Sequence, residues 1–158
     1  MKKLVVFYSL EGNTKFIAQA IAQSAGADIL ELRPKKGISS SGFMKYFWGG
    51  KQVLTKEKPE LLPLEKNPHE YDLIFIGTPV WASTFAPPLL TFFSEEKLRD
   101  KKIALFCTYG GNAGLTLEKM EEKLVGNEIM SRIGFKEPLK NNPEECADKA
   151  KEWAGGIV

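Results

Sequence analysis

Apolar residues along this chain fall into short continuous runs separated by helical-period stretches. Lys3 to Tyr8 (KLVVFY) is unbroken, as expected of a central parallel strand covered on both faces. Asn13 to Ser24 carries Phe16, Ile17, Ala20 and Ile21 at helical spacing, and Gly26 ends that helix. Ala27–Leu32 is a second, shorter strand. Tyr71–Gly77 (YDLIFIG) is a third, followed by a helix from Pro87-Pro88 through Glu96. Lys102–Thr108 (KIALFCT) is a fourth strand. Leu115–Val125 is a helix with Leu117, Met120 and Leu124 inward and Gly126 as its cap. Ile129–Phe135 is a fifth strand. Asn142-Pro143-Glu144-Glu145 then supplies an N-cap, a first-turn proline and a capping-box acid. They open a last helix with Ala147, Ala150, Trp153 and Ala154 inward. Five strands alternating with helices predict an α/β, doubly wound five-stranded parallel sheet with helices on both faces.

Residues 33–69 break this rhythm. Pro34, Gly37 and Ser39–Gly42 punctuate the segment, and Pro59 and Pro63 close it. Between them Phe43, Tyr46, Phe47, Val53 and Leu54 suggest an amphipathic helix interrupted at Gly49-Gly50. A connection this long is usually functional or mobile. Its charge is distinctive as well. Positions 33–66 hold eight basic side chains against three acidic ones, a net +5, and the remaining residues hold 14 against 17. A mildly acidic body thus carries a basic, aromatic insert, suited either to solvent or to an anionic partner.

At 158 residues and a net charge of +2, the chain fits one ordinary domain. Its 43% hydrophobic and 27% charged residues argue against disorder. No apolar run approaches the roughly 20 residues that cross a bilayer, and the basic-then-apolar N-terminus is too short for a signal peptide. A cytoplasmic protein is expected. Cys107 and Cys146 lie far apart, and His69 sits in a turn, Asn67-Pro68-His69-Glu70. A Cys/His metal site or a Cys-His relay is therefore disfavoured. No nucleic-acid motif is present, and +2 is small for that role.

In a doubly wound sheet, ligands sit beyond the carboxyl ends of the strands at the switch point. The chemistry is therefore expected in Ser9–Thr14, Thr78–Phe85 and Tyr109–Gly114. Ser9-Leu10-Glu11-Gly12-Asn13-Thr14 joins a strand directly to a helix N-terminus, where free N–H groups and the dipole favour a phosphate. Ser9, Asn13 and Thr14 add polar side chains, and Gly12 lets the backbone approach closely. Asn13 or Thr14 could equally be a plain N-cap. The glycines and lysine of a Walker loop are missing. So are the acids of an aspartyl-phosphate receiver, whose places hold Tyr8-Ser9 and Gly77-Thr78. Trp81 can stack on a flat ring or simply cap the core. Gly110, Gly111 and Gly114 expose peptide groups that can meet a ring edge, or form an ordinary turn. Together the loops suit a mononucleotide with a large planar ring.

YSLEGNT (8–14), GTPVWASTFAPP (77–88) and FCTYGGNAG (106–114) lie in one order on these elements. On these motifs the chain resembles the flavodoxin family over nearly its whole length, as one domain spanning 1–158 with its insert at about 33–69. The resemblance implies strand order 2-1-3-4-5 and non-covalent FMN. By it, Ser9, Leu10, Glu11, Gly12, Asn13 and Thr14 would bind the phosphate. Thr78, Pro79, Val80 and Trp81 would line one side of the flavin. Thr108, Tyr109, Gly110, Gly111, Asn112 and Gly114 would hold the other side and the pyrimidine edge.

Three departures stand out. Glu11 occupies a position usually held by Ser or Thr, and its carboxylate would repel a phosphate, so it is expected to point to solvent. The family's carriers are strongly acidic, whereas this chain is +2. Where many relatives place a glycine beside flavin N5, Ala82 and Ser83 follow Trp81. A flip to positive φ there costs more, implying a less stabilised semiquinone. The expected function is electron transfer between redox partner proteins. The alternative is an NAD(P)H-dependent FMN or quinone reductase, with Lys45, Tyr46, Phe47, Trp48 and Lys51 of the insert over the flavin and a pyridine nucleotide as partner. A third reading is a non-redox anion-binding module.

Overall fold

The computed structural model describes residues 1–36 and 58–158. The Phe43–Leu54 helix and the aromatic cluster around Tyr46–Trp48 lie outside those residues. The described elements are β1 (Lys3–Phe7), α1 (Asn13–Ala25), β2 (Asp28–Glu31), β3 (Leu73–Trp81), β4 (Thr84–Phe85), α2 (Pro87–Glu96), β5 (Lys102–Tyr109), α3 (Thr116–Glu122), β6 (Glu128–Lys136) and α4 (Pro143–Ile157). A single 3₁₀ turn, Pro68–Glu70, holds His69, in keeping with the turn read there.

Five strands pair in parallel in the order β2-β1-β3-β5-β6. Counting only parallel strands, this is the expected 2-1-3-4-5. The strands alternate their side chains between two cores. Leu4, Val6, Ile74, Ile76, Ile103 and Leu105 face α2 and α3, meeting Leu89, Phe92, Phe93 and Met120. Val5, Phe7, Phe75, Ala104 and Phe106 face α1 and α4, meeting Ile17, Ile21, Ala150 and Ala154. The near-continuous apolar runs follow from this burial on both faces.

The element ends differ from the sequence reading in two instructive places. β3 runs four residues past Gly77, because Thr78 and Pro79 stay in register with Cys107 and Thr108 of β5. Trp81 then turns back through Ala82-Ser83, and β4 pairs antiparallel with the end of β3. The expected loop 78–85 is thus a strand end and a tight hairpin. α3 is also shorter than expected and is capped at Lys123, not at Gly126. The amide of Leu124 turns to the Glu121 carbonyl, tightening the exit. Gly126, at φ 97, serves the turn beyond, where its carbonyl accepts from the Asp100 amide.

The two described ends of the long connection are tied together. Pro34 bridges Leu61 antiparallel, the Lys35 amide donates to the Glu60 carbonyl (2.8 Å), and that of Leu62 to the Arg33 carbonyl (2.7 Å). Leu61 and Leu64 pack on the α2/α3-side core. Among the described residues, no helix is long and apolar enough to cross a membrane.

Candidate functional site

Beyond the carboxyl ends of β1, β3 and β5 lies a cleft of about 550 Å³ counted to its open mouth. It is lined by Ser9, Leu10, Glu11, Asn13, Thr14, Pro79, Val80, Trp81, Thr108, Tyr109 and Gly110, with Glu137 added from the end of β6. The switch point falls here because β1 pairs with β2 on one side and β3 on the other.

The floor is built at the start of α1. Gly12 is the N-cap, at φ 101, a conformation that a side chain would strain. It makes no side-chain cap, so neither Asn13 nor Thr14 plays that part. The Asn13 carbonyl Oδ1 instead accepts the Leu139 amide at 3.0 Å, tying the β6–α4 loop to the cleft. Thr14 and Thr108, both buried, share a hydroxyl hydrogen bond of 2.7 Å across the floor. Ser9 Oγ accepts the Lys15 amide at 3.2 Å, and the Gly12 carbonyl takes the Phe16 amide at 2.9 Å. Among the described residues, that leaves the Asn13 and Thr14 amides as open donors of the first turn. Uncapped amides plus hydroxyls, with a dipole behind them, form a donor set that fits a phosphate. Glu11 stands exposed on the rim, as expected.

One wall is aromatic. Trp81 is 4% exposed and meets Tyr8 edge-on, with centroids 5.8 Å apart at 89°. It belongs to the core cluster and also lines the cleft. Tyr109, half-buried, also lines the cleft, and its carbonyl accepts the Glu137 amide at 2.8 Å.

The remaining motif residues have other work. Thr78 is wholly buried, and its Oγ1 accepts the Ala86 amide at 2.9 Å, fastening β3 to the start of α2. Gly77 is a packing glycine: a Cβ there would fall 2.1 Å from the buried Phe106 ring. Gly111 and Asn112 are exposed and outside the cleft lining, as is Gly114, which backs onto Ser83.

Ala82 sits at φ 50 and Ser83 at φ 64, both left-handed. A two-residue hairpin selects positive φ at its centre to match strand twist, normally through Asn-Gly. Here the cost, roughly 1–2 kcal/mol per residue, is carried without glycine. Lys119 Nζ donates to the Ser83 carbonyl at 3.2 Å, and Ala82 packs on the core. The positive φ that is costly for an alanine is thus present at Ala82 in the fold itself.

Glu137, in the cleft lining, and Leu139, bonded to Asn13, lie beyond the fifth strand, outside the loops that the motifs mark. The same end-of-strand rule extended to the fifth would have reached them. Cys107 is buried and its thiol is pushed up to about 12, chiefly by burial, so it is inert packing.

A family model described as Flavodoxin matches residues 2–157. Solved structures share the fold. A Lactobacillus acidophilus flavoprotein, solved in complex with FMN, has 23% identity and a TM-score of 0.68, over 91% of this chain and 98% of its own. The flavodoxin, WrbA-like protein of Agrobacterium tumefaciens has 17% identity and a TM-score of 0.66, over 99% and 94%. Megasphaera elsdenii flavodoxin has 21% identity and a TM-score of 0.58, over 98% of each chain. With its sheet order, its cleft and this near-complete match, the chain belongs to the flavodoxin family.

Proposed function

We propose that this protein holds FMN in the cleft and carries electrons between redox partner proteins. The observation that carries the reading is the meeting of three unlike surfaces at one switch point. The Asn13 and Thr14 amides, with the Thr14 and Ser9 hydroxyls, suit the phosphate. Trp81 and Tyr109 offer aromatic faces to a flat ring. Peptide groups at Gly110 offer hydrogen bonds to its edge. Bound FMN would supply one- and two-electron chemistry, while the chain binds, orients and shields it. The complex of a structural relative with FMN supports the same ligand here.

Stepwise anaerobic reduction of the FMN-loaded protein tests the carrier role by visible spectroscopy. Build-up of the long-wavelength band of half-reduced flavin is the result expected of a one-electron carrier. Direct passage to fully reduced flavin, with steady NAD(P)H oxidation in the presence of a quinone, would favour the reductase alternative. That alternative draws on Lys45, Tyr46, Phe47, Trp48 and Lys51, all outside the described residues.

A further inference from the structure

A second groove, of about 1040 Å³ to its open mouth, adjoins the cleft. It lies between the end of β6 and the first turns of α4. Tyr109 lines both. The Tyr109 ring lies against Gly134, where a Cβ would come within 3.1 Å of Cε1, so β6 makes room for this shared wall. Whatever sits in the groove therefore stands one side chain from the proposed flavin site.

The groove's charge is positive. Lys136, Lys140 and Lys149 line it, all exposed, and none makes an ion pair among the described residues. Lys149 Nζ lies 6.0 Å from the centroid of the buried Phe135 ring. The one carboxylate in the lining, Glu145, is engaged by Asn142 Nδ2 at 2.8 Å. Glu137 lines the cleft instead.

We infer that this groove is the docking surface for an acidic redox protein. The inference rests on the carrier reading above. Three features favour a protein over a compact phosphate. The lysines come from a strand end, a loop and a helix, which spreads the positive field. Among the described residues the groove has no arginine fork. The first turn of α4 is capped by Asn142, with the Glu145 amide going to its Oδ1 and the Cys146 amide to its carbonyl. A spread field of unpaired ammonium groups steers and orients a carboxylate-rich face.

The test has two arms. In the first, ¹⁵N-labelled full-length protein is titrated with hexaglutamate at low salt and followed by amide chemical shifts. This arm needs no flavin. Shifts are expected at Lys136–Cys146 and Lys149, and should vanish in the variant Lys136→Gln/Lys140→Gln/Lys149→Gln. Shifts centred on residues 37–57, or unchanged in the variant, would overturn the inference. So would NADPH moving the groove resonances while hexaglutamate leaves them in place. In the second arm, the FMN-loaded, fully reduced protein is mixed with hexacyanoferrate(III). Each ferric ion takes one electron and becomes hexacyanoferrate(II), two per flavin, with the flavin's released protons going to solvent. The rate is expected to fall about tenfold from low salt to roughly 0.3 M salt, with most of that slope lost in the triple variant. An unchanged slope would count against the groove. Failure to take up FMN with hexaglutamate shifts intact would fault the carrier reading alone.

Discussion

The two ends of the sheet are made of similar residues and put them to opposite use. At the amino end of the strands, polar groups satisfy one another. Lys2 and Asp72 exchange two bonds, the amide to Oδ2 at 2.7 Å and back to the carbonyl at 2.8 Å. Tyr71 donates to Asp28 at 2.6 Å, and Asn127 donates to both the Leu98 and Leu124 carbonyls at 2.9 Å. At the carboxyl end, Gly12 leaves α1 uncapped and the Thr14–Thr108 hydroxyls face a cleft. The closed end spends its hydrogen bonds on stability. The open end keeps donors for a ligand. The same α/β scaffold thus separates what holds the fold from what serves the site.

The largest expected effect is at Gly77, in the middle of β3, where the residue serves the fold alone. Gly77→Ala drives a methyl into the Phe106 ring, and overpacking of this severity is expected to cost about 3 kcal/mol or more. Urea unfolding followed by circular dichroism would show it, as a large drop in midpoint or failure to fold. Next comes the open end itself. Thr14→Val is expected to weaken FMN binding about tenfold, the loss of one charge-assisted bond, measured by flavin fluorescence. It should also cost about 1 kcal/mol of stability by leaving the Thr108 hydroxyl without its mate.

At the closed end, Tyr71→Phe should cost about 1 kcal/mol and leave FMN affinity unchanged. The Tyr71 phenol is pushed up to about 12, first by its bond to Asp28 and then by burial. Because the folded protein holds that proton more tightly than the unfolded chain, the contribution is whole below about pH 10 and drains away between 10 and 12. Unfolding midpoints of the native protein should therefore fall more steeply across that window than those of the variant. The smallest expected effect is at the rim. Glu11→Gln removes a like charge from an exposed position and should tighten FMN about threefold at low salt, fading as salt rises.

Most of the architecture was legible because its signals are local. The apolar runs of β1, β3 and β5 give two-sided burial, Gly26 ends α1 in the left-handed region at φ 64, and Asn142 caps α4 as its sequence promised. What escaped was set by contacts distant in sequence. The length of β3 depends on pairing with β5. Gly77 answers to a ring 29 positions away, and Thr78 to the start of α2. Within the site, eleven of the sixteen expected residues share one cleft, whereas Gly12, Thr78, Gly111, Asn112 and Gly114 stand outside its lining. Those glycines read as exposed backbone from sequence alone. Only the tertiary fold says which exposed backbone faces the cleft.

The central claim is that this cleft takes FMN by its phosphate, and one titration tests it most directly. The ¹⁵N-labelled chain, freed of flavin, would be titrated with FMN and in parallel with riboflavin. The expected result is one-to-one binding of FMN with quenched flavin fluorescence and large shifts at the Asn13 and Thr14 amides, with riboflavin binding far more weakly. Equal binding of both flavins, or FMN shifts that bypass Asn13 and Thr14, would contradict it.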